Sequence, residues 1–177
     1  MVGIAFFLRV LCIVVMHTYK FRVSDQNFSF GWEMGRIADS IASGQGFSNP
    51  MHDPTGPTAW EPPLTPFLIA GVFRLFGTYS HASSFVLLTI NSLWSSLTCL
   101  PIFKIARRSF GEKVAVGSAW TWALFPYAIY WDIKWVWETS LSALLVAAIF
   151  WVAISLEDER DRFRPWLMSG RCGESLR

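Results

Sequence analysis

Residues 82–113 read ASSFVLLTINSLWSSLTCLPIFKIARRSFGEK. The first 22 positions, 82–103, hold no charged side chain, whereas the following ten carry Lys104, Arg107, Arg108 and Lys113 against Glu112 alone. A helix needs about 20 apolar residues to cross hydrocarbon, and a dense run of Lys and Arg marks the cytoplasmic end of a span. The stretch therefore reads as a membrane helix delivered to a cytoplasmic loop.

Working outward, residues 114–130 and 135–156 are again apolar and read as two further spans. The turn between them, Asp132 to Lys134, is rimmed by Tyr127, Tyr130, Trp131, Trp135 and Trp137, an aromatic belt at the opposite interface. Upstream, residues 2–19 are apolar except for Arg9. No basic region precedes them and no small-x-small cleavage site follows, so they read as a span and not a signal peptide. Arg9 is expected near one end or facing the protein interior. The segment Leu64–Phe76 has only 13 residues, with Pro66 in its first turn and Arg74 near its end, and is better read as interfacial or re-entrant. Composition agrees. The chain is 53% apolar and 16% charged, where soluble domains carry about a quarter charged residues. Ten Trp residues add to the interfacial character. A formal charge of +2 gives no reason to expect a nucleic-acid partner. Cys12, Cys99 and Cys172, and His17, His52 and His81, show no ligand spacing and read as packing or interfacial residues.

The expected fold is all-α: a multi-span transmembrane helical bundle with amphipathic juxtamembrane helices in a long first outer loop. Its spans cover about 2–19, 82–103, 114–130 and 135–156. Counting back from the basic loop puts the N-terminus in the cytoplasm and residues 20–81 outside. Lys20 and Arg22 pull mildly the other way, but the cluster at 104–113 is denser.

The outer loop carries the chemistry. Met34, Ile37, Ala38, Ile41 and Ala42 fall at helical spacing over residues 32–43, with Glu33, Arg36 and Ser40 opposite and Gly44 at the C-terminal cap. This predicts a short helix lying on the membrane surface, apolar stripe down. The Gly- and Pro-rich stretch 44–63 predicts a fixed irregular path that lines a pocket and holds Glu61 before Pro62 and Pro63. Glu138, entering the fourth span, is a further candidate, because a carboxylate at membrane depth usually faces a cavity. A solvated helix face or loop is the plain alternative for Glu33, Arg36 and Glu61.

The order of Ile37-Ala38, Ser40, the GQGFS of residues 44–48 and Pro50, then TAWEPPLTPFL over 58–68, FRLFG over 73–77 and ARRSFG over 106–111, resembles the N-terminal part of GT-C membrane glycosyltransferases. It is most similar to the bacterial members grouped with protein O-mannosyltransferases and lipid A aminoarabinose transferases, glycosyltransferase family 39, over residues 1–165. The resemblance implies a transferase in a bacterial inner (plasma) membrane, moving a sugar from a polyprenyl-phosphate-linked donor to a protein or lipid acceptor at the outer face. It implies a catalytic carboxylate in the first outer loop, Glu33 or Asp25, since a hydroxyl needs a base to become a nucleophile. Arg36 would be a phosphate or structural partner, and Glu61 and Glu138 would bind substrate. Relatives often have an Asp-Glu pair where Glu33 stands between Trp32 and Met34, and some have Lys or His where Glu61 precedes the prolines. A divalent metal therefore stays open, with no metal ligands assigned. Residues 166–177 read as an irregular tail, as of a truncated or frameshifted gene, and such a fragment is expected to be inactive. The competing expectation is a non-catalytic multi-span protein, a transporter part or assembly subunit. Against it, the chemistry-capable residues gather in the outer loop and no internal repeat is visible.

Overall fold

The structure, a computed structural model, describes residues 1–22, 26–51 and 54–171, with the backbone alone for 26–27 and 157–171. The regular elements among the described residues are all helices: α1 (Val2–Met16), α2 (Gln26–Ser29), α3 (Glu33–Ala42), α4 (Leu64–Phe76), α5 (His81–Leu97), α6 (Cys99–Phe110), α7 (Glu112–Leu124), α8 (Pro126–Lys134) and α9 (Thr139–Arg171). One isolated bridge, Ser48 to Pro57, is the only extended pairing among them.

Two helices are long and apolar enough to cross a membrane, His81–Phe110, formed by α5 and α6 together, and the first part of α9, Thr139–Leu156. The helix boundaries among the described residues differ from those expected of the spans. The second runs on past residue 103, because the basic residues extend the helix. Arg and Lys are good helix formers and favour the negative C-terminal end. The expected loop at 104–113 shrinks to Gly111, whose φ of 87° turns the chain directly into α7. The exposed pair Arg107–Glu112, 2.9 Å apart, brackets that turn. The expected span 114–130 is broken: Phe125 is extended at φ −63°, ψ 113°, because proline at 126 disfavours helix in the residue before it. Residues 135–138 form an extended link, so the last apolar helix starts at Thr139. The first helix stops at Met16, where His17 takes a left-handed conformation. Helix α9 continues through charged residues to Arg171, into the stretch expected to be irregular; losing apolarity ends a span but not a helix. Cys172 and the residues after it lie outside the described residues.

Helix α5 is the hub, packing on α1, α4, α6, α8 and α9. Its buried Ser83, Ser84, Asn91, Ser92, Ser95 and Ser96 explain why: small side chains let helix backbones approach, and Asn91 and Ser95 also bond across the contact. Two cores result. The larger joins Ile13, Phe30, Met34, Ala38, Ile69, Phe73, Leu87, Leu88, Ile133 and Val136. The smaller, built on Ala5, Cys99, Ala119 and Ala123, takes in Met1, Val2 and Phe103, so the start of α1 packs with α6 and α7.

The apolar stripe of α3 is buried, but against α4 and not against a membrane. Met34 and Ala38 share the larger core with Ile69, Ala70 and Phe73. Ser40, expected on the solvated face, is buried as well. A partner helix five prolines downstream was not separable from a bilayer by periodicity, since both cover an apolar stripe.

At the heart of the bundle Arg9 is fully buried. Its Nε donates to Asp132 Oδ2 at 2.8 Å, Nη1 donates to the carbonyls of Ala5 and Ala123, and Nη2 donates to Ser95 Oγ. Ser140 Oγ donates to the other Asp132 oxygen at 2.6 Å. Asp132 thus sits inside helix α8 at the bundle centre, not in an interfacial turn. An ion pair in a low-dielectric interior holds only when its remaining hydrogen-bonding groups are also satisfied, and here α1, α5, α7, α8 and α9 all supply partners.

Candidate active site

The site grows from the junction between α2 and α3. Phe30 is fully buried. Gly31 follows with φ 83°, and a Cβ there would lie 2.8 Å from the Val136 carbonyl oxygen. Only glycine lets the extended link 135–138 come this close. The link is then stitched in place. The Val136 amide donates to the Ser29 carbonyl at 2.7 Å, Trp137 Nε1 donates to the Phe28 carbonyl at 3.0 Å, and Asn91 Nδ2 donates to the Trp135 carbonyl at 3.0 Å. Trp32, at the strained φ of 51°, sits immediately before Glu33 in the first turn of α3. A carboxylate there faces the positive end of the helix.

The described parts of the stretch, residues 44–51 and 54–63, are tied together by hydrogen bonds. Asn49, with φ 58°, accepts from the Gly56 amide through Oδ1 and donates through Nδ2 to Gln45 Oε1 and Ser40 Oγ. Its backbone amide donates to the Gly56 carbonyl, and Thr58 donates to Phe47. This closed loop delivers Glu61 toward the first turn of α3.

Three carboxylates from three separate segments are thereby brought within electrostatic reach. Glu61 is raised above its ordinary 4.5, first by burial and then by the charges of Glu138 and Glu33. Glu138 has its Oε2 atom buried without a hydrogen-bond partner among the described residues. An unpaired buried carboxylate oxygen is costly, and such atoms concentrate where a protein meets a ligand. Among the described residues no three His, Cys, Asp or Glu are grouped to hold a metal ion. Asp25, the other expected base, lies outside the described residues.

Arg36, one turn beyond Glu33, leans on the loop: its guanidinium stacks 5.6 Å from the Trp32 ring centroid and Nη1 donates to the Pro50 carbonyl at 3.4 Å. Its charge is felt by Tyr79, which burial and then Asp39 push up to about 12 while Arg36 pulls it down. Asp39 is itself raised by burial. The aromatic residues expected as an interfacial belt form one continuous ring cluster. Trp131 meets Trp135 at 4.5 Å and Trp137 at 5.8 Å. Phe28 bridges Trp32, Trp135 and Trp137 at 5.3–6.0 Å. Trp32 and Trp137 each precede a site carboxylate, so the cluster fixes both. The Arg9–Asp132 pair, which supports this arrangement by locking α8 to α1, was missed in the sequence. The available signal was the rule that an ionisable residue in an apolar helix must find a partner.

The family model for dolichyl-phosphate-mannose-protein mannosyltransferases matches residues 60–172 and sets the chain among the membrane glycosyltransferases of the GT-C type. The chain belongs to the dolichyl-phosphate-mannose-protein mannosyltransferase family. The matched region contains Glu61, Asp132 and Glu138 and starts downstream of Glu33. Comparison with curated proteins gives no match, and neither does comparison with solved structures.

Proposed function

We propose that this chain transfers a sugar, mannose by family, from a polyprenyl-phosphate-linked donor to a hydroxyl of a protein or lipid acceptor at the outer face of the membrane. The supporting observation is the convergence of Glu33, Glu61 and Glu138, with Glu61 already raised by its two neighbours. In this reading Glu33, or Asp25 beside it in sequence, accepts the acceptor's hydroxyl proton. The freed oxygen attacks the sugar's anomeric carbon, a new carbon–oxygen bond forms, and the bond to the phosphate oxygen breaks. Polyprenyl phosphate leaves with the electron pair. Glu61 and Glu138 shape the substrate side, and Arg36 holds the loop through Pro50. A positioned general base contributes about 10²–10⁴-fold. Glu33→Gln is therefore expected to lower transfer from radiolabelled polyprenyl-phosphate mannose, assayed in membranes, by roughly that factor. Undiminished transfer in both Glu33→Gln and Asp25→Asn overturns the assignment.

The topology proposed with it places residues 20–81 outside and the basic turn at Gly111 in the cytoplasm. The packing of Met1, Val2 and Phe103 on one small core supports this, because it brings the start of α1 to the helix that carries the basic residues.

A further inference from the structure

A second feature lies where α1 and α8 both end. A cleft of about 620 Å³ opens there, lined by His17, Lys20, Arg22, Tyr130, Lys134 and Trp135 among others. Lys20, Arg22 and Lys134 are exposed, and among the described residues no Asp or Glu lines the cleft. Lys134 is held in place: its Nζ donates to the Tyr130 hydroxyl at 2.6 Å and lies 4.8 Å from the ring centroids of both Tyr130 and Trp135. That leaves ammonium protons for a ligand. Two helix C-termini also point here, each worth roughly half a negative charge. Together they offset about one of the three cationic charges, so the cleft stays positive.

We propose that this cleft seats the phosphate of an anionic membrane lipid. Three exposed cations gathered on one cleft favour an anion. The surroundings indicate a lipid-borne one. Val14, Val15 and Met16 on the last turn of α1 are exposed apolar residues, and Tyr130 and Trp135 have the amphipathic rings that settle at headgroup depth. The described lining residues are cationic, aromatic and apolar, unlike the site of Glu33, Glu61 and Glu138. Phe28 is the link between the two, lining the cleft and packing on Trp32 and Trp137.

The proposal rests on the chain being membrane-embedded, and one preparation tests both. The full chain, purified in detergent, is offered equal amounts of phosphatidylglycerol, a polyprenyl monophosphate and phosphatidylcholine, and bound lipid is read by native mass spectrometry. The expected result is retention of a phosphate-bearing anionic lipid over phosphatidylcholine. Retention should fall roughly tenfold or more in Lys20→Gln/Arg22→Gln and stay unchanged in Lys113→Gln, which lies outside the cleft. The ratio of phosphatidylglycerol to polyprenyl monophosphate identifies the source of the phosphate. Equal retention of phosphatidylcholine, or equal retention by the double variant, overturns the proposal. So does stabilisation by inorganic phosphate with no lipid bound. Alkaline extraction of the same membranes separates the two readings. Release into the soluble fraction sinks the membrane reading, whereas retention without lipid discrimination sinks only the lipid seat.

Discussion

Arg9 and Asp132 are the residues on which the bundle most depends. Arg9→Met leaves Asp132 buried and unpaired, and removing one partner of such a pair costs about 3–5 kcal/mol. Arg9→Met with Asp132→Leu should recover most of that loss, as unfolding by denaturant in detergent would reveal. Equal destabilisation in single and double variants would remove the pair from this role. Glu61 gives a pH signature. Its folded value is raised, so below its ordinary 4.5 the group is protonated in both states and neutral for stability. As pH rises through the window from 4.5 to the raised value, the unfolded chain loses the proton first and stability falls. Glu61→Gln should flatten that decline and leave the protein more stable than wild type at neutral pH, in melting curves taken across the window. The carboxylates at 33, 61 and 138 were readable in the sequence as candidates. Their meeting depends on Gly31, whose role as the point of close approach to Val136 is a distance between segments a hundred residues apart.

At the scale of elements, periodicity located α3 well, because a short helix with a clear stripe leaves a strong mark in sequence. Hydropathy did less well on α7 and α8. An apolar run is blind to the backbone, and one proline at 126 splits the run in two. The break places Asp132 on a separate short helix that can turn toward Arg9. The α6–α7 hairpin rests on Gly111, at φ 87°, ψ 177°, a region that only glycine enters freely. Nothing lies within 4 Å of a Cβ placed there, so Gly111→Ala isolates the backbone term. It should destabilise by about 1–3 kcal/mol, measured as a lowered unfolding midpoint; an unchanged midpoint would mean the turn relaxes without strain.

For the whole molecule, the all-helical class and the family were legible from composition and a few ordered segments. The number of long apolar helices was not, since local hydropathy cannot show where helices merge or break. Over Thr139–Leu156, Leu145, Val146, Ile149, Phe150 and Val152 are exposed, a surface that requires apolar surroundings. The proposed topology has a direct check in single cysteines at Ser43 and Ser109, both exposed, on a cysteine-free background. In intact cells an impermeant thiol reagent should label Ser43→Cys and spare Ser109→Cys. The reverse pattern inverts the topology and removes the outward-facing site with it.

The Arg9–Asp132 contact joins positions 123 residues apart in the chain. During synthesis at roughly 5–20 residues per second, the arginine waits about 6–25 s for its counter-charge to be made. Throughout that interval α1 carries a bare guanidinium, a burden of about 2.5–3.5 kcal/mol for a helix entering the bilayer centre. The nascent first helix is thus a weak passenger until residue 132 emerges. Its final seating is a late event in the birth of the protein, although it is made well before the helix that completes it.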